Sequence, residues 1–186
     1  AFVVDLLKAM SAREALGLRS ATYDSASFDG RSSVTHVERL FAFLVEVRRR
    51  CSKCGTCTND FEGTYLLDLV SAGEKAGPSC ITDLYLQACA PRDVEWECGS
   101  RACGGGLASH SEQRCLATLP NVLLVKVCGT GHAEQQISFP DLGHMVLSAV
   151  IYKGRMRGGG VRYLCASRGP DGLFWMFDGA KDPWRP

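Results

Sequence analysis

The 186-residue chain sets 21 Lys and Arg against 20 Asp and Glu, for a net charge of +1, with 46% hydrophobic and 22% charged residues. That balance excludes long disorder and fits one domain, or a large piece of one, with enough chain to bury its own core. Near-neutral charge offers no field to gather nucleic acid and no polybasic tail for a membrane. No apolar run nears the ~18 residues of a membrane span, so neither nucleic acid nor membrane is expected as a partner.

Residues 1–10 place Val3, Leu6, Leu7 and Met10 on one helical face. The chain opens at Ala1 already inside this pattern, which predicts a piece of a longer protein, and Asp5 and Lys8 with no basic leader argue against a signal peptide. Residues 20–33, rich in Ser, Asp and Gly, read as an exposed loop. Residues 34–50 are apolar up to Val47, fit a strand or a helix, and end in Arg48, Arg49 and Arg50, read as a solvated strand end. Residues 60–70 read as a strand. Ser79 with Asp83 suits the start of a helix whose buried face is Ile81, Leu84, Tyr85 and Ala88.

The last third reads as β. Short apolar runs at 119–127, 136–139, 145–152, 161–167 and 173–178 alternate with turn signals around Gly129–Gly131, Pro140-Asp141, Gly158–Gly160 and Gly169–Gly172. Five such strands predict an antiparallel sheet. Helices first and strands later predict an α+β fold.

Ten cysteines make up ~5% of the chain, below the ~8–10% of a small disulfide scaffold. Without a secretory leader they predict a reducing, intracellular setting, where clustered cysteines bind metal or catalyse more often than they staple. Cys51-x2-Cys54 and Cys98-x4-Cys103 form two knuckles, and two knuckles complete a closed four-cysteine zinc site. The first spacing is standard and the second slack. Lys53 and Arg101 add cationic charge that favours thiolate, and Cys57 is a spare ligand. The alternative is four plain thiols. Cys80, Cys89, Cys115, Cys128 and Cys165 lie in apolar stretches and read as core residues.

The order of these features resembles the ubiquitin-specific protease domain, a papain-like cysteine deubiquitinase. The family runs from CxxC to a second cysteine pair, then "LPxVLxixL", "FP", "YxLxAVIxHxG", "GHYxAY" and "WxxFDD". Here the series is Cys51–Cys54, Cys98–Cys103, LPNVLLVKV at 119–127, SFP at 138–140, MVLSAVIYKG at 145–154, VRYLCASR at 161–168 and FWMFDGA at 174–180. The succession covers nearly the whole chain, although no single motif is diagnostic. The resemblance implies a partial thumb–palm–fingers fold: residues 1–50 the end of the thumb and a lead-in, 51–115 zinc-tied β fingers, and 116–186 an antiparallel β palm. It implies ubiquitin or a ubiquitinated protein as partner, and the cytoplasm or nucleus as setting.

The family reaction hydrolyses the bond after ubiquitin's C-terminal glycine through a Cys nucleophile, a His base and an orienting Asp. The resemblance places the nucleophile ahead of residue 1. In the Gly-His-Tyr position stands Val161-Arg162-Tyr163, so Arg162 occupies the place of the base. A guanidinium cannot deprotonate and cannot act as one. Asp178 matches the orienting Asp, or is a plain turn residue before Gly179. Tyr163 keeps the aromatic, and Gly158, Gly159 and Gly160 match the run beside the channel for ubiquitin's tail, where glycine permits close backbone approach. Gly104–Gly106 is a loop without a phosphate-binding Lys-Ser/Thr. Lys153 replaces a family His, and Met145 a Tyr. His36, His110, His132 and His144 read as surface or satisfied residues, with His144, alongside Cys128 and Asp178, the one displaced-base candidate.

Three readings follow. One is a C-terminal piece of a cysteine deubiquitinase, inactive alone. The second is a catalytically dead ubiquitin-binding or scaffolding module, favoured by Arg162. The third is an unrelated zinc ribbon, against whose nucleic-acid form the neutral charge counts.

Overall fold

A computed structural model of the chain describes residues 5–10, 35–70, 79–104, 106–129, 131–155 and 161–178. The loop expected at 20–33 and Gly158–Gly160 lie outside them. The chain divides into two compact units, Ala1–Gly131 and His132–Pro186.

In the first unit residues 5–10 are helical, and Leu7 is buried against Val37 and Tyr65, with Phe41, Ala42 and Leu124 around them. Residues 34–50, open between helix and strand by sequence, contain both. The helix α1 (His36–Phe41) starts at a capping box: Glu38 N donates to Thr35 Oγ1 at 3.1 Å and Thr35 N donates to Glu38 Oε2 at 2.7 Å. It stops where Ala42 turns extended, and β1 (Phe43–Cys51) begins. Strands thus start early, and the expected order of helices first and strands later does not hold.

The strand expected at 60–70 is two, β2 (Cys57–Thr64) and β3 (Leu67–Val70), because Tyr65 between them turns into the core. After β4 (Ser79–Cys80) comes α2 (Ile81–Ala88). Its cap is Cys80 rather than Ser79, since Asp83 N donates to Cys80 Sγ at 3.4 Å. Ile81, Leu84 and Tyr85 are buried as expected, whereas Ala88 is exposed. Then follow β5 (Arg92–Glu97), a 3-10 turn at Arg101–Cys103, β6 (Leu107–Leu116), β7 (Val125–Cys128) and β8 (Gly131–His132).

Strands β2, β1, β6 and β5, in that order, form an antiparallel sheet. Alternate residues of β1, Val45, Val47, Arg49 and Cys51, share one face with their partners Leu116, Arg114, Glu112 and His110 on β6. Strand β7 pairs parallel with β3. The run at 119–127 is therefore extended only from Val125, and it does not join the later strands.

In the second unit β9 (Gln136–Phe139) pairs with β10 (Gly143–Val146). The strands β11 (Ala149–Arg155), β12 (Val161–Arg168) and β13 (Phe174–Asp178) form a three-stranded antiparallel sheet. The single five-stranded sheet expected here is thus divided. The strand expected at 145–152 breaks at Leu147 and Ser148, whose backbone groups pair elsewhere: Leu147 N with Gln135 O at 2.9 Å, Ser148 O with Arg168 N at 2.7 Å.

Candidate metal centre

The four-stranded sheet gathers the two knuckles at one end. Cys51 closes β1 opposite His110, His110 faces Val94 on β5, and Cys98 follows directly after β5. The first knuckle is a tight turn: Gly55 N donates to Cys51 O, and Cys51 N to Thr56 O, both at 2.9 Å. The second folds through the 3-10 turn, with Cys103 N donating to Ser100 O at 3.0 Å and Gly104 N to Arg101 O at 3.1 Å. Gly55 and Gly104 adopt φ of 72° and 74°, a left-handed conformation that glycine takes without a Cβ penalty.

The four Sγ atoms of Cys51, Cys54, Cys98 and Cys103 lie within 4.8 Å of one another. Cys51 and Cys103 are 3.5 Å apart, and Cys54 and Cys98 3.7 Å. A tetrahedron of Zn–S bonds of about 2.3 Å has edges of about 3.8 Å, so the donor set fits zinc. Cys51, Cys98 and Cys103 are buried and Cys54 half-buried. With four thiolates the ion has no open position, and it would cross-link the sheet end without chemistry of its own. Cys57, the spare ligand by sequence, is exposed outside the cluster, its Sγ 3.6 Å from Gly55 O.

The thiols are electrostatically unequal. The side-chain hydroxyl and the backbone N–H of Thr56 draw the Cys54 thiol down to about 6, and backbone N–H groups led by that of Cys54 lower Cys51. Burial pushes Cys103 up to about 12. Lys53 Nζ donates to the Cys103 carbonyl at 3.1 Å, joining one knuckle to the other.

Beside the cluster, on the same face of the sheet, is a charge network that sequence reading missed. Arg49, expected in a solvated strand end, is 6% exposed, while Arg48 and Arg50 are exposed as expected. Its Nε donates to Glu112 Oε2 at 2.8 Å, its Nη1 to Asp60 Oδ2 at 3.0 Å, and its guanidinium stacks 4.1 Å over the Trp96 ring. Arg92 Nη2 reaches the other Glu112 oxygen at 2.6 Å, and Arg114 pairs with Glu62. Burial alone would raise the Glu112 carboxyl; hydrogen bonds from Arg92 and Arg49 outweigh it and hold the group below its ordinary 4.5. His110, read from sequence as a surface or satisfied residue, is a buried residue of β6, its Nδ1 2.8 Å from Ala108 O. The signal available for Arg49 was its phase: it falls in the alternation Val45, Val47, Arg49, Cys51.

Of the residues matched to catalysis and substrate, Arg162 lies opposite Gly154, and Tyr163 opposite Lys153, whose Nζ stands 5.9 Å over its ring. Asp178 lies opposite Leu164. Positions 162 and 164 have the same phase along β12, so the register puts positions 162 and 178 in phase on neighbouring strands. His36, His132 and His144 are exposed. Cys128 Sγ is 3.7 Å from Asp68 Oδ1, whose other oxygen accepts from Lys126 Nζ at 2.7 Å. Cys80, Cys89, Cys115, Cys128 and Cys165 are half-buried rather than fully core, and all ten cysteines are free thiols.

No protein-family model matches the chain, and no curated protein sequence does. Solved structures do match. One is a chain from the SAGA Ubp8/Sgf11/Sus1/Sgf73 DUB module bound to ubiquitin aldehyde, at 10% identity and a TM-score of 0.61, covering 80% of this chain and 38% of that one. Another is from the SAGA DUB module with the same components bound to monoubiquitin, at 10% identity and a TM-score of 0.67, covering 83% of this chain and 39% of that one. This chain therefore spans well under half the length of the chains it matches. At this identity the likeness is one of fold: the chain shares a mixed α+β architecture with a component of these DUB modules, and it carries a four-cysteine cluster compatible with structural zinc.

Proposed function

We propose that the chain is the fingers and palm portion of a ubiquitin-specific-protease-like domain, that it holds ubiquitin, and that it does not hydrolyse the ubiquitin bond by itself. The observation that carries this reading is the four-cysteine cluster at the end of a four-stranded antiparallel sheet, in a fold similar to chains of ubiquitin-bound DUB modules. Cys51, Cys54, Cys98 and Cys103 would hold one zinc ion, which ties the fingers together. Tyr163 and Gly158–Gly160 are assigned to the ubiquitin tail, and Asp178 to the place of the orienting carboxylate. Arg162 is a permanent cation where the reaction needs a base, so it cannot take the proton from a nucleophilic thiol. Ten free thiols suit an intracellular setting, cytoplasm or nucleus.

The test pairs binding with reactivity. Labelled ubiquitin titrated with the zinc-loaded chain should show saturable binding, while ubiquitin bearing a C-terminal electrophile should form no adduct. Absence of binding would remove the ubiquitin-holding role. An adduct at Cys128 or Cys165 would overturn the inactive assignment. The second reading, a pseudoenzyme that binds or scaffolds even within a longer protein, is favoured by Arg162 itself.

A further inference from the structure

Cys54 stands apart from the other three cysteines of the cluster. Cys51, Cys98 and Cys103 are buried and Cys54 alone is half-buried, so solvent meets the cluster at this residue. Among the described residues its sulfur is also the only one of the four that meets a side-chain hydroxyl: Thr56 Oγ1 lies 3.2 Å from Cys54 Sγ. The turn itself aims that hydroxyl. Gly55 takes its left-handed conformation, Thr56 O accepts from Cys51 N at 2.9 Å, and the Thr56 side chain comes back to the sulfur two residues before it. Lys53, the cation in the same knuckle, directs its Nζ to the Cys103 carbonyl rather than to a sulfur.

We propose that Cys54 is the exchange ligand of the metal centre, the first sulfur to let go of the ion and the last to close on it, and that the Thr56 hydroxyl is the latch that holds it. The proposal rests on the zinc reading of the cluster. As a free thiol, Cys54 can donate to Thr56 Oγ1. As a metal-bound thiolate it has no proton to give, so the hydroxyl must turn its own proton to the sulfur. That bond is charge-assisted, and four thiolates around a divalent ion leave two negative charges in excess for such a donor to answer. When the Cys54 sulfur lets go, the same bond keeps it pointed at the cluster, and it closes again before a competing ligand enters from solvent. The three buried sulfurs have no such approach from solvent. Thr56 is thus a positioning residue: it touches the ligand and not the ion.

Two measurements on the zinc-loaded chain test this. Slow alkylation with N-ethylmaleimide, mapped by mass spectrometry, should label exposed Cys57 at once and Cys54 first among the four cluster residues. Competition with a chromophoric chelator should show Thr56→Val binding zinc about 10–100-fold more weakly, the usual cost of losing an outer-shell partner, and releasing it faster. Thr56→Ser should restore both. Ser52→Ala should leave them unchanged, since its hydroxyl, in the same turn, bonds only Ser109 O at 2.7 Å. In cobalt-substituted chain the sulfur-to-metal charge-transfer bands should move in Thr56→Val and return in Thr56→Ser, which a merely structural loss would not produce. Labelling of Cys51, Cys98 or Cys103 ahead of Cys54 overturns the proposal, as does a Thr56→Val chain that holds zinc as tightly as wild type. Either result leaves the zinc reading standing, whereas a chain that takes up neither zinc nor cobalt overturns both. The wild-type labelling order decides the matter even where the valine variant does not fold.

Discussion

Arg49 and Arg50 are neighbours in sequence and opposites in environment. Arg50 is exposed to solvent, and its charge costs nothing there. Arg49 is buried, and its position is favourable only because Glu112, Asp60 and the Trp96 ring meet it. Breaking a buried pair from one side strands the other charge and costs about 3–5 kcal/mol. Glu112→Gln should therefore lower the unfolding midpoint clearly, whereas Arg50→Gln should leave it nearly unchanged; chemical denaturation of the three proteins compares them directly. The pH dependence has a definite sign. Glu112 titrates below its ordinary 4.5 in the folded chain, so its stabilisation is complete above that value and is lost as pH falls through the lower, folded one. Acid should erode the difference between wild type and Glu112→Gln. A gap that stayed constant down to the lowest folded pH would mean that the carboxylate is not what holds Arg49.

At the scale of elements, the sheet places the knuckles, and a metal ion held by them would in turn secure the sheet. The turns that carry Cys51, Cys54, Cys98 and Cys103 have little apolar mass beyond Ala108 packed beside the cysteines. A structural zinc can supply about 10–16 kcal/mol of apparent binding energy at neutral pH. The purified chain should hold one zinc per molecule by elemental analysis. Chelation or Cys98→Ser should lower its melting midpoint, and Cys57→Ser should not. Metal-free protein of equal stability would remove the metal assignment. Burial keeps Cys103 protonated at neutrality, so zinc uptake must expel its proton, and affinity should fall steeply from about pH 8 to about pH 6. The four-cysteine cluster was legible in the sequence because a knuckle is local: spacing alone brings two sulfurs together. Helix α2 was legible for the same reason, and its start was missed by one residue because a thiol, not the hydroxyl beside it, accepts the capping bond. Pairing was not legible. Nothing near residue 125 announces that β7 joins β3 in parallel, and nothing near Arg49 names Glu112, because strand partners are chosen by burial across long separations.

At the scale of the whole molecule, the proposed function turns on whether one side chain or many would separate this chain from a hydrolase. The register of β12 against β13 leaves positions 162 and 178 in phase on neighbouring strands, a relation that a base and its orienting carboxylate would share. If the only defect is chemical, restoring an imidazole at 162 should restore general-base function. The experiment requires a longer protein that contains this chain and an upstream nucleophile. Arg162→His in that protein should raise turnover of a ubiquitin C-terminal fluorogenic substrate, since a positioned base contributes about 10²–10⁴-fold to such a step. The gain should follow a pH profile rising through the imidazole range near about 6.5. Asp178→Asn in the same background should remove much of it, because the His then loses its orienting acceptor. A variant that binds ubiquitin as before but gains no turnover would place the loss beyond residue 162. Met145 and Lys153, which also depart from the resembled pattern, would then be the next positions to restore under the proposed reading.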